Sequence, residues 1–148
     1  MQLSTLMAAA ATQRIGATNI NVSDVCQIAT LVERCLGDSA LAARLWKRFD
    51  ERLAKSVSQI EAAISEENRS EARKYVHSLK GEAASLAALR LQQAAAELEN
   101  LLKSDEDDAD SKIACAMFEV RTAAERCREC VPLILSALAA TAAPVTTA

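Results

Sequence analysis

LAARLWKRFDERLAKSVSQIEAAI, residues 41–64, carries the strongest amphipathic pattern in the chain. Leu41, Leu45, Phe49, Leu53, Val57, Ile60 and Ile64 recur three or four places apart. That spacing draws one face of an α-helix, which turns once in about 3.6 residues. It predicts a long helix that starts near Ser39 and points these side chains inward. Trp46 sits next to the stripe and reads as the edge of the core.

The same periodicity continues on both sides. Upstream, Val25, Ile28, Val32 and Cys35 mark a helix from Val22 to Leu36, with Ser23 as N-cap and Gly37 as its end. Downstream, EENRSE introduces a third helix. There Asn68 and Glu71 have the spacing of a capping box, and Ala72, Val76, Leu79, Ala83 and Leu86 turn inward. A fourth helix uses Leu91, Ala94, Ala95, Leu98, Leu101 and Leu102. The acidic stretch KSDEDDADS, residues 103–111, reads as a solvated loop rather than a calcium site, because it lacks the glycine and final glutamate of a calcium loop. A fifth helix follows Ile113, Met117, Val120, Ala124, Cys127, Val131, Ile134 and Leu138, and Pro132 should kink or interrupt it.

No stretch reads as a strand. Helices of this length joined by short loops predict an all-α fold, an antiparallel four-helix bundle with an accessory N-terminal helix. Residues 22–140 form the bundle unit. Residues 1–21 read as an extension, frayed or a short helix, and 141–148 as a disordered tail.

Composition agrees. The 148 residues are 51% hydrophobic and only 3% aromatic, with three glycines and two prolines, so little breaks a helix and little favours a strand. A net charge of -3 gives no basic excess for nucleic acid or an anionic membrane surface. The apolar runs fall short of the roughly 18 residues of a membrane span. Five cysteines, an odd number in a domain that needs no staple, suggest reduced thiols and a cytoplasmic setting. Cys127 and Cys130 make a lone CxxC, read as two thiols one turn apart. A zinc site needs four ligands, so no metal is expected.

His77 is the only histidine. With about 100° per residue around the third helix, measured from Arg69, the inward residues fall between about 260° and 340°. Arg69, Lys80, Arg73, Ala84 and His77 fall between about 0° and 80°, with Gly81 and Lys74 just beyond. His77 is therefore expected on an outer, basic face. One histidine makes no acid–base pair and no triad. An imidazole is, however, a nucleophile that can carry a group covalently. A phosphoryl group would suit the neighbouring cations. Gly81 costs the helix about 1 kcal/mol against alanine, and at this angle it leaves room beside the ring for a visiting active site.

The motif His77-Ser78-Leu79-Lys80-Gly81 resembles the signature of the histidine-containing phosphotransfer (HPt) domain. The resemblance extends over the helix before it and over LAALRLQQAAAELENL, residues 86–101, with its Leu98-Glu99 pair. It implies that His77 is the phosphoacceptor, exchanging a phosphoryl group with the aspartate of response-regulator receiver domains. A hybrid histidine kinase would stand upstream. Lys80 would neutralise the group, Gly81 would admit the receiver, and Glu99 aligns with a polar residue that often orients the imidazole. Arg73, Lys74 and Ala84 complete the expected partner face. The resemblance further implies a phosphoryl carrier with no kinase activity and no cofactor of its own, Mg²⁺ coming from the receiver. A free-standing cytoplasmic monomer is expected, with neither nucleic acid nor membrane as partner.

Two alternatives share the bundle. One is a binding module that docks a receiver or kinase without carrying phosphate. The other is the phosphate-accepting domain of a chemotaxis-type kinase. Two positions depart from the family pattern: Ala87 stands where glycine is common, and Glu82 where a small residue is usual.

Overall fold

The computed structural model describes residues 12–15 and 18–142. Its helices are α1 Val22–Val25, α2 Ile28–Arg34, α3 Ser39–Ser65, α4 Arg69–Ser85, α5 Leu89–Leu102, α6 Ala109–Glu129 and α7 Val131–Ala142. α5 packs between α4 and α6, and α3 closes the bundle against α4, α6 and α7. The core between them includes Trp46, Phe49, Leu53, Val76, Leu79, Leu98, Ile134 and Leu138. Each such side chain contributes about 1.5–3 kcal/mol on leaving water. The expected all-α four-helix bundle is the fold.

Local chemistry sets the boundaries. Asp38 caps α3 by accepting from the Leu41 amide at 3.0 Å, and Asn68 caps α4 by accepting from the Glu71 amide at 3.2 Å. Pro132 separates α6 from α7. It sits in the first turn of α7, where its missing N–H is no loss.

The N-terminal part departs from expectation in two ways. Instead of a frayed segment or short helix, Thr12–Ile15 and Thr18–Asn21 form an antiparallel pair, β1 and β2, with Thr12 opposite Asn21 and Ile15 opposite Thr18. The β-branched Thr12, Ile15, Thr18 and Ile20 favour extended backbone. Residues 1–11 lie outside the described residues. The helix expected over Val22–Leu36 is broken, with Cys26 extended. Tertiary hydrogen bonds take over there: the Gln27 amide donates to the Ala87 carbonyl at 2.9 Å, and Cys26 Sγ to the Leu86 carbonyl at 3.6 Å. The cap is Asn21, whose Oδ1 accepts from the Ser23 amide at 3.1 Å, rather than Ser23. α1 rests on α5 and α6, and α2 on α3 and α7, so the accessory segment spans the bundle. At the other end α7 continues to Ala142, past the expected limit at 140, and 143–148 lie outside the described residues.

The stripe on α3 shifts by one place in its first half. Ala42 and Trp46 are fully buried, Leu41 is half-buried, and Leu45 is 37% exposed. At about 100° per residue each step of four overshoots a full turn by about 40°, so the line through Leu41 and Leu45 swings off the buried face, and the inward line passes instead through Ser39, Ala42, Trp46 and Phe49. Trp46 belongs to the core, where its ring meets that of Phe49 edge-on at 5.6 Å.

Candidate functional site

α4 buries Ala72, Val76, Leu79 and Ala83. The opposite side presents His77, whose side chain is 73% exposed. From α5, Glu99 lies on the buried face with Ala95, Leu98 and Leu102, and only 6% of its side chain is exposed. Its carboxylate reaches back to α4. Oε2 is 2.7 Å from His77 Nδ1, and Oε1 accepts from Lys80 Nζ at 2.5 Å. Lys103, one turn further along α5, places Nζ 3.9 Å from Oε1.

A buried carboxylate is costly unless it is paired. Here the pairing wins. The Lys80 hydrogen bond holds the Glu99 carboxyl below the usual glutamate range, against an opposing push from burial. The His77 hydrogen bond and the charges of Lys80 and Lys103 add to the lowering. An ionised carboxylate has no proton to give, so His77 Nδ1 carries one and donates it. In the neutral ring the lone pair then belongs to Nε2, on the exposed side. Glu99 thus fixes the tautomer and the ring orientation together.

The other expected residues are distributed less uniformly than the helix angles implied. Arg73 is exposed and has no ion pair among the described residues. Lys74 leans on Glu71 at 3.8 Å. Ala84 is half-buried, and its carbonyl accepts from the Arg34 guanidinium of α2. Arg69 is diverted from the outer face. It donates to the Ser104 carbonyl at 2.8 Å and to Asp110 at 3.0 Å, pinning the start of α4 to the α5–α6 connection. A Cβ added at Gly81 would meet nothing within 4 Å, so helix packing does not require glycine there.

An open groove runs beside His77. Leu45, Arg48 and Arg52 of α3 form one wall, and His77, Gly81 and Glu82 lie on the other. Arg52 pairs with Glu82 at 3.3 Å. The α3 wall escaped the sequence reading, which counted Leu45 as core. The spacing Leu45, Arg48, Arg52 was its only sign, and it points to this groove only once α3 and α4 are known to be neighbours. Lys103 was missed in the same way.

Both departures are accommodated locally. Ala87 adopts φ 56°, the left-handed conformation that glycine favours. It does so at the end of a helix where the Ala88 amide donates to the Ala83 carbonyl at 2.9 Å. Glu82 has its charge countered by Arg52. Among the described residues no cluster of His, Cys, Asp and Glu could hold a metal ion, and no helix is long and apolar enough to cross a membrane.

A family model, the Hpt domain, matches residues 44–141, a span that holds His77, Lys80, Gly81 and Glu99 and runs from α3 into α7. No curated protein and no solved structure matches the chain. Because the match covers well over half of the 148 residues, the chain belongs to the Hpt domain family, whose role is phosphotransfer in two-component signalling.

Proposed function

We propose that this chain is a phosphorelay carrier in which His77 Nε2 accepts a phosphoryl group from the aspartyl phosphate of a receiver domain and returns it to another. One observation carries the reading: an exposed imidazole whose Nδ1 is tied to a buried carboxylate, leaving Nε2 free to attack. The Nε2 lone pair attacks phosphorus. The N–P bond forms as the P–O bond to aspartate breaks, and the aspartate carboxylate leaves. The positive charge that the ring gains is countered through Nδ1–H by Glu99. Lys80 lies one turn from His77 and is placed to meet the phosphoryl oxygens, with Arg73 on the same face. Gly81 leaves the approach open. Receiver domains of response regulators and a hybrid histidine kinase are the partners, and the chain itself needs no cofactor or kinase activity. Its five free thiols are in keeping with a cytoplasmic setting.

Docking without phosphate transfer has less support. Its motives are the departures at Ala87 and Glu82; Ala87 takes up the left-handed conformation that glycine favours, and Arg52 counters the Glu82 charge. The test is to incubate the chain with radiolabelled, phosphorylated receivers of its own organism. Acid-labile, base-stable label on the wild type, lost in His77→Gln, is the expected result. Absence of label from every receiver overturns the proposal.

A further inference from the structure

We infer that Arg52 is a specificity-determining residue that masks Glu82, so that the groove beside His77 accepts a receiver with an acidic contact surface. This rests on the carrier reading above. The groove is not neutral. Arg48 projects into it with no ion pair among the described residues, and Arg52, 61% exposed, lies on Glu82 at 3.3 Å. Among the described residues Glu82 is the only acid lining it, and it follows Gly81, where an added Cβ would meet nothing within 4 Å. Unmasked, that carboxylate would face an acidic partner directly, and like charges brought together at an interface oppose docking. Paired with Arg52 it leaves Arg48 as the uncompensated charge, and the groove reads as positive although the whole chain is negative. Leu45, 37% exposed, adds an apolar contact in the same wall. The occupant that fits is a receiver surface with acidic groups around an apolar side chain.

Masking makes the cost of losing Arg52 depend on Glu82. Transfer from a phosphorylated receiver is measured for wild type, Arg52→Ala and the double variant Arg52→Ala/Glu82→Ala, over a range of receiver concentration and salt. Arg52→Ala should slow transfer about tenfold at low receiver concentration. The loss should lie in the half-saturating concentration and should narrow as salt is raised. The double variant should recover most of the rate. An Arg52→Ala variant as fast as wild type overturns the inference, and so does a double variant no faster than Arg52→Ala. The emission of buried Trp46 reports that each variant is folded. If wild type takes no label, the carrier reading itself fails; if it takes label while these variants behave otherwise, only the masking fails.

Discussion

Glu99 of α5 holds His77 of α4 by its Nδ1 at 2.7 Å while gripping Lys80 at 2.5 Å through its other oxygen. One buried carboxylate therefore fixes the orientation of the imidazole and keeps Lys80 beside it. Replacing it with Glu99→Gln keeps an oxygen for Nδ1–H but removes the charge. Hydrogen bonds to charged groups are worth about 1.5–3 kcal/mol, so transfer to His77 should slow by about tenfold or more. Single-turnover labelling from a phosphorylated receiver measures this. A variant as fast as wild type would remove the carboxylate from the account.

The same carboxyl makes stability depend on acid. Its folded pKa is depressed below the 4.5 of the free group, chiefly by Lys80. Between the two values the unfolded state binds more protons, so acid favours unfolding. The contribution is complete above about pH 4.5 and fades as pH falls through the lowered folded value. Denaturant unfolding followed by Trp46 emission should show wild type losing more stability than Glu99→Gln between neutral pH and about pH 3.5. Equal losses would contradict the assignment.

Three helix ends place a non-glycine residue in the left-handed region, Leu36 and Glu67 at φ 57° and Ala87 at φ 56°. Such a conformation costs an L-residue about 1–2 kcal/mol. Glu67 is exposed and has little packing to lose, so Glu67→Gly should raise stability by about 1 kcal/mol. Ala87 is only 7% exposed. Losing its buried methyl costs about 0.8 kcal/mol, so Ala87→Gly should come out close to neutral. Chemical denaturation of the two variants decides whether conformation and burial offset each other in this way.

The thiols should divide sharply. Burial pushes Cys127 up to about 12 and Cys130 up to about 11, and raises Cys26 as well, while Cys115 is exposed on α6. A thiolate is the reactive form. An aromatic disulfide reagent at mildly alkaline pH should therefore label one thiol rapidly in the native protein, and Cys115→Ser should abolish that phase. Several fast thiols would contradict the packing of Cys127 and Cys130.

Much of this was legible in the residues. The buried positions of α4, the Asn68 cap and the interruption at Pro132 follow from spacing and from capping and proline chemistry. So did the outward direction of His77, because a helix angle needs only local information. What escaped depends on which helices meet. Leu45 belongs to the groove rather than the core, since successive steps of four along α3 swing it off the face that Phe49 and Leu53 share. Arg69 serves the α5–α6 connection through contacts 35 and 41 residues away in sequence. The break at Cys26 and Gln27 is set by the Leu86 and Ala87 carbonyls, 60 residues on. Propensity alone predicts a continuous helix there.

The central claim concerns one atom. In the proposed relay Glu99 occupies Nδ1 and Nε2 of His77 carries the phosphoryl group. Nitrogen-15 and phosphorus NMR of the protein, labelled on histidine and phosphorylated by a receiver, tests this directly. The account predicts phosphorus coupled to Nε2 while Nδ1 keeps its proton; phosphorus on Nδ1, or on any residue other than His77, would contradict it.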